Sequence, residues 1–266
     1  MIKEGIMRRY FSLLTVIGIL LCAGTARAAE PKLRWLGHAA FVFSSRTGKI
    51  FLIDPWLTNP KAPKNIAFTH VEGILVTHGH SDHVGEAFEL AKKFNAPLVA
   101  NYELTEIAKK HGVKNVLPIN PGGTQTIGDV TITAVTAVHS SSYQEGDTLL
   151  YAGAPLGFIL AEDGAPTFYH AGDTSVTFDM AFINELYHPA VALLPIGGVY
   201  TMKPEEAAIA ARTLMINTIV PMHFGTFPAL SGTPAELITA IKRLGLRTRV
   251  VEFKPGQEIS LNELAK

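Results

Sequence analysis

The chain has one cysteine in 266 residues, Cys22. It falls in an N-terminal stretch expected to be removed, so the mature chain has no thiol and no disulfide. Its stability must come from its core and from any metals it binds. Excess charge of either sign is also missing, since 23 Lys and Arg balance 23 Asp and Glu. Removal of residues 1–28 takes away Lys3, Arg8, Arg9, Arg27 and Glu4, leaving 19 basic and 22 acidic residues, a net charge of −3. That balance gives no general attraction to nucleic acid. Long apolar runs are scarce. The one from Phe11 to about Ala23 is shorter than the ~20 residues of a membrane span. No linker, repeat or low-complexity stretch divides residues 29–266, which are numerous enough to bury a core as one domain without covalent staples.

The N-terminus has a different character. Lys3, Arg8 and Arg9 precede the apolar run, and Ala26-Arg27-Ala28 follows it. A basic region, a short apolar region and a small-x-small site make a secretory signal peptide over 1–28, with Ala29 as the mature N-terminus. Met7-Arg8-Arg9 alone would serve as the basic region, so Met7 is an alternative start. An uncleaved anchor is the competing reading. Leu21 before Cys22 is not the small residue that lipoprotein processing prefers. The expectation is a periplasmic or secreted protein with no stable membrane anchor after cleavage.

What the sequence holds in one place is histidine. His78-Gly79-His80-Ser81-Asp82-His83 packs three of the chain's ten histidines and an aspartate into six residues. Ile74-Leu75-Val76 before it reads as a buried strand, and Val84 to about Phe94 after it as a helix. The cluster thus sits on a turn at the C-terminal end of a strand, where open α/β sheets place their sites. Neutral imidazole and carboxylate suit zinc, iron or manganese. His78 and His80 can project together from an extended loop while Asp82 and His83 turn toward a neighbouring point, so the cluster can serve two adjacent ions.

Three further acid or imidazole groups follow strand ends in order. Val130–Val135 alternates as a half-buried strand and runs to His139. Gly157–Leu160 and Thr167–His170 read as a hairpin around Asp163-Gly164, followed by Gly172-Asp173, where the glycine allows a sharp turn that aims the carboxylate. Thr218-Ile219-Val220 is followed by His223. Strands are also expected at Leu33–Leu36, Phe41–Phe43, Ile50–Ile53, Pro97–Ala100, Ala190–Leu194 and Arg249–Phe253. Helices are expected at Tyr102–His111, Pro204–Met215 and Pro234–Leu244. Tyr143 to Pro155 reads as a loop bordering the pocket. His38 and Asp54 stand at strand ends. Asp54 is either a turn residue or the partner that orients a metal-bound histidine, and His38 is either structural or part of the pocket. His170 is a candidate for supporting the ligands rather than joining them. His111 reads as a helix terminus and His70 as a surface or core-edge residue.

The spacing His-x-His-x-Asp-His, with His139, Asp173 and His223 after it, resembles the metallo-β-lactamase superfamily. The resemblance implies a four-layer αββα sandwich of the α/β class. It implies that His78, His80 and His139 hold one metal, that Asp82, His83 and His223 hold the other, and that Asp173 bridges them. True dizinc β-lactamases usually have Cys where this chain has Asp173, and lack a match to His83. Trp35–Ala39, Ile53–Trp56, Leu194–Gly198 and Pro204–Ala208 look like the uncharacterised metal-dependent hydrolases similar to ascorbate-6-phosphate lactonase and to the phospholipase D acting on N-acyl-phosphatidylethanolamines. Members of that branch are usually cytoplasmic in bacteria, so the signal peptide is a departure.

The resemblance implies a hydrolase with two divalent ions, zinc first, with manganese or iron as alternatives. A hydroxide held between the ions would attack an ester, lactone or phosphodiester of a small-molecule substrate. Asp82 and Asp173 are the expected catalytic carboxylates, with Tyr200 the candidate for a general acid. The alternatives are a nuclease of the tRNA-processing type, opposed by the acidic balance, and a non-catalytic periplasmic metal-binding protein, opposed by a ligand set that leaves open positions for water. An oligomer is compatible with the sequence.

Overall fold

The computed structural model describes residues 29–266, and the expected signal segment 1–28 lies outside the described residues. The first half runs β1 (Lys32–Trp35), β2 (Phe41–Ser44), β3 (Ile50–Ile53), β4 (Gly73–Leu75), α1 (Ser81–Val84), α2 (Ala87–Phe94), β5 (Leu98–Ala100), α3 (Tyr102–Lys110) and β6 (Val116–Pro118). Next come β7 (Thr124–Ile127), β8 (Val130–Thr136), β9 (Ser142–Glu145), β10 (Thr148–Tyr151), β11 (Leu156–Glu162), β12 (Phe168–His170) and α4 (Asp179–Tyr187). The chain ends with β13 (Val191–Pro195), α5 (Pro204–Thr213), β14 (Thr218–Met222), α6 (Pro234–Arg243), β15 (Arg249–Val250), β16 (Glu258–Ser260) and α7 (Leu261–Leu264).

Two seven-stranded sheets form, in the orders β16-β1-β2-β3-β4-β5-β6 and β15-β14-β13-β12-β11-β8-β7. In each, antiparallel pairs give way to parallel ones, β3-β4-β5-β6 in the first and β12-β13-β14-β15 in the second. Every parallel step except β3 to β4, which residues 54–72 cross without a helix, is crossed by one or more helices.

Residue alternation fixes the layers. Phe41, Phe43, Phe51, Ile53, Leu75 and Val99 belong to the large core shared with the second sheet. Their neighbours Val42, Leu52, Ile74, Val76, Leu98 and Ala100 form another core with Phe88, Ala91, Leu104 and Ile107 of α2 and α3. Period two thus sends successive side chains to opposite faces of the first sheet. Ala207, Ala208 and Ala211 of α5 and Leu237 and Ile241 of α6 pack onto the second sheet. Helices lie outside and sheets inside, the αββα sandwich.

Several local expectations change. The helix expected from Val84 is two helices. Gly85 has φ +41 and a Cβ there would lie 2.3 Å from Trp56 Cα, so the chain turns sharply between α1 and α2. The loop expected over Tyr143–Pro155 contains the β9-β10 hairpin. Leu149 and Tyr151 are exposed while Leu150 packs inward, a pattern too short to read as a strand from sequence. The last expected strand, Arg249–Phe253, shrinks to β15. The hairpin around Asp163-Gly164 forms with Phe158 opposite His170. Among the described residues no helix is long and apolar enough to cross a membrane.

Candidate metal centre

The cluster is assembled from turns that follow strands. His38 follows β1, Asp54 follows β3, His78 to His83 span the turn after β4 and α1, His139 follows β8, Asp173 follows β12 and His223 follows β14. His38, Asp54 and His223 have φ of +53, +46 and +53, and Gly172 has +59. These left-handed backbones bend the chain abruptly at the sheet edge and turn the side chains toward one point. For residues other than glycine that conformation is uncommon and concentrates at functional sites.

Two donor groups result. Ligand atoms of His78, His80 and His139 lie within 4.8 Å of one another, as do those of His38, Asp82, His83 and His223, and His78, His83 and Asp173 make a third such set that joins the two. His78 Nε2 is 2.9 Å from His80 Nδ1. Asp173 Oδ2 lies 3.3 Å from His83 Nε2, 3.5 Å from His139 Nε2 and 3.1 Å from His223 Nε2. One carboxylate oxygen therefore reaches imidazoles of both groups.

A buried network sets the tautomers. Asp54 Oδ1 accepts the Thr77 backbone N–H at 2.8 Å, and Oδ2 accepts the Thr77 hydroxyl at 2.8 Å. Oδ2 also lies 2.7 Å from His83 Nδ1, which must donate to it, so in the neutral ring His83 Nε2 carries the lone pair. Having given its proton to Asp54, the Thr77 oxygen accepts from His78 Nδ1 at 3.0 Å, and His78 Nε2 is likewise left free. Asp54 thus orients one imidazole of each donor group, the support that metal-bound histidines usually have.

The electrostatics favour cations here. Burial opposes a charge on His83, but Asp173, Asp54 and Asp82 outweigh it and raise its pKa well above the ordinary histidine value. Burial likewise opposes charge on His223, yet Asp173 foremost pushes it up to about 9. Asp82 and Asp173 are desolvated, but the surrounding imidazoles, His83 first, hold both below the usual carboxylate range. His38 is pushed down to about 4 by burial, which outweighs the opposing pull of Asp82. His83 Nε2, both ring nitrogens of His223 and Asp173 Oδ1 are buried without hydrogen bonds. Unpaired buried polar atoms cost about 1–3 kcal/mol each. Two of these atoms, His83 Nε2 and His223 Nε2, meet at Asp173 Oδ2, and a set of imidazoles and carboxylates of this kind fits divalent cations such as zinc, manganese or iron.

All seven expected ligands come together, and His38 joins them. His170 does not: its Nε2 donates to Ala39 O at 3.0 Å and its Nδ1 accepts Gly172 N–H at 3.2 Å, tying the Asp173 turn to the turn after His38. Tyr200 is 58 % exposed and, among the described residues, bonds to none of the cluster. His111 caps α3 and His70 is exposed, both as expected. Sequence reading missed Thr77 and Thr226. Thr77 adjoins His78, a signal within reach. Thr226, at 2.9 Å from His38 Nδ1, has no local sequence signal. His80, Asp82 and His139 are only partly buried, so the cluster opens to solvent on their side.

Comparison with known proteins shows the family. Residues 49–224 match the family model described as "Beta-lactamase superfamily domain". A UPF0173 metal-dependent hydrolase of Myxococcus xanthus is 46% identical over 89% of this chain and 85% of its own length. One from Koribacter versatilis is 45% identical over 85% and 96%. The structure of Igni18, described as a novel metallo hydrolase of Ignicoccus hospitalis, superposes with a TM-score of 0.75 at 34% identity, covering 86% of this chain and 97% of that one. An isothiocyanate hydrolase from Delia radicum gut bacteria shares the fold, with a TM-score of 0.67 at 21% identity over 86% and 98%. With its two sheets, its donor groups and these relatives, the chain belongs to the metallo-β-lactamase superfamily and is one of its metal-dependent hydrolases.

Proposed function

We propose that the mature chain is an exported hydrolase that binds two divalent cations, zinc first, and cleaves an ester, lactone or phosphodiester bond of a small molecule. The observation that carries this reading is the reach of Asp173 Oδ2 to His139 of one donor group and to His83 and His223 of the other. His78, His80 and His139 would hold one cation, Asp82, His83 and His223 the second, and Asp173 would bridge them. When bound, such a pair supplies activated water near neutral pH and positive charge against the oxyanion that develops on the substrate. Asp54 and Thr77 keep the lone pairs of His78 and His83 turned inward. The partly exposed side of His80, Asp82 and His139 is where substrate can approach.

Two measurements on the mature protein test the reading. Elemental analysis is expected to give two metals per chain after loading with zinc or manganese, and one or none would overturn the dinuclear assignment. A substrate panel of lactones, esters, phosphodiesters and a cephalosporin is expected to give metal-dependent turnover. Lactones and phosphodiesters head the panel because of the resemblance to the lactonase and the phospholipase D. The net charge of −3 on residues 29–266 disfavours a nuclease. Export rests on the character of residues 1–28, and N-terminal sequencing from the native host checks it. A retained Met1 or Met7 in a cytoplasmic fraction would refute export.

A further inference from the structure

We propose that His38 is a positioning residue that holds Asp82 in place for the cation bound by Asp82, His83 and His223, and that Thr226 holds His38 in turn. The inference rests on the dinuclear reading above. It starts from how firmly His38 is fixed. Its backbone carbonyl accepts two hydrogen bonds, from Trp35 Nε1 at 2.9 Å and from the His223 amide at 3.1 Å. These pin a residue whose φ is +53. Its ring is fully buried, 3.9 Å from the His223 ring centroid, with Trp56 and Phe227 edge-on at 5.2 and 5.7 Å.

Both ring nitrogens are engaged, by Thr226 Oγ1 at 2.9 Å on Nδ1 and by Asp82 Oδ2 at 3.0 Å on Nε2. A carboxylate only accepts, so in the neutral ring the proton sits on Nε2 and Nδ1 accepts from the Thr226 hydroxyl. The direction of the chain is therefore set: Thr226 donates to His38, and His38 donates to Asp82. One consequence concerns Asp82. Its Oδ2 accepts from His38 and also lies 3.7 Å from His223 Nε2, so the bond holds the oxygen that faces the other donors of its group. The other concerns α1, a helix of four residues whose N-cap makes no side-chain bond. Asp82 rides on it with its side chain 23 % exposed. The contact from His38, 44 residues away in sequence, is the tie that fixes the carboxylate's direction. Supporting contacts of this kind commonly change metal affinity about 10–100-fold when lost.

The experiment titrates metal-free wild type, His38→Phe, His38→Gln and Thr226→Val with cobalt(II). Uptake is followed by visible absorption, and the shifted ring N–H proton resonances of the loaded forms are counted. Phenylalanine keeps a ring of similar shape without the N–H. Glutamine restores a donor near the place of Nε2, and valine keeps the shape of Thr226 without its hydroxyl. The expected result is that His38→Phe weakens one of two binding events by about 10–100-fold and spares the other. His38→Gln should recover most of that loss, and Thr226→Val should show a smaller one. The number of coordinated imidazoles should match wild type throughout. Melting of the metal-free variants close to wild type shows that the loss is not misfolding.

Wild-type affinity for both ions in His38→Phe would overturn the proposal, as would failure of glutamine to improve on phenylalanine. Loss of one imidazole resonance in His38→Phe would also overturn it, by making His38 itself a ligand. In those cases the wild type still binds two ions and the dinuclear reading stands. A wild type that binds only one ion would overturn that reading, and the proposal with it.

Discussion

Asp173 is the residue on which the two donor groups meet, and its charge matters more than its shape. Asp173→Asn keeps the size but removes the negative charge beside His83, His139 and His223. Two dications would then repel each other with less compensation. The expected outcome is a loss of at least about 10-fold in metal affinity, with turnover falling alongside, while far-UV circular dichroism is unchanged. His70→Ala is the control, since His70 is exposed and its nearest polar partner is Gly48 O at 3.2 Å. Near wild-type turnover with two metals in Asp173→Asn, or an equal loss in His70→Ala, would refute the site. Asp54→Asn should behave differently from His38→Phe. An amide cannot accept at both positions now occupied by Thr77 and His83 donors, so His78 and His83 both lose their orientation. Both metal affinities should fall, where His38→Phe affects one. The residues of the cluster were legible in the sequence because they are histidines and aspartates that follow apolar strands. The contacts that orient them were not. Thr77 reaches Asp54 across 23 residues and Thr226 reaches His38 across 188, distances at which sequence pattern carries no pairing information.

Between residue and fold stands the turn after β4, whose back is covered by the start of the β9-β10 hairpin. Gly79 N–H donates to Ser141 Oγ at 3.2 Å, and that hydroxyl donates to Ala152 O at 3.0 Å. A Cβ on Gly79 would lie 2.4 Å from Ala152 Cβ and 2.8 Å from Ser142 O. The neighbours are a methyl carbon on the chain and a backbone oxygen, so neither can rotate away. Gly79→Ala must displace either the hairpin or the loop carrying His78 and His80. Overpacking of this kind costs about 1–3 kcal/mol. Thermal unfolding of the metal-free variant should move down accordingly, and cobalt titration should show weaker binding by the group that includes His78 and His80. An unchanged unfolding temperature with unchanged affinity would mean the hairpin does not brace the loop. This hairpin was invisible in the sequence for the same reason that α4 was. Leu149 and Tyr151 on β10, and Phe182 and Leu186 on α4, are exposed apolar residues, and they blur the contrast between faces on which periodicity depends. Strands such as Ile50–Ile53 and Val191–Pro195 read clearly because both their faces are covered and nearly every residue is apolar.

At the scale of the whole molecule, the candidate metal centre sits at the edge of the two sheets and the core lies between and outside them. The largest buried side chains, Tyr169, Phe41, Phe43, Phe51, Phe158 and Phe168, belong to strands rather than to the ligand turns. The fold therefore does not need the metals to collapse. Without them, positive charge on His83 and His223 is stabilised by Asp54, Asp82 and Asp173, so the buried carboxylates keep partners. The metals should then act on stability only through linkage. An ion that binds the folded chain alone adds about 2.7 kcal/mol at one hundred times its dissociation constant. For a chain of this size each kcal/mol raises the midpoint by roughly 2–4 °C, so about 5–10 °C is expected per ion at that excess. Chelator-treated protein should keep its far-UV spectrum and unfold in one cooperative transition at a lower temperature. Added zinc should raise the midpoint progressively with concentration, and Asp173→Asn should flatten that rise. A chelated protein with no cooperative transition would mean instead that the cations hold the two sheets together.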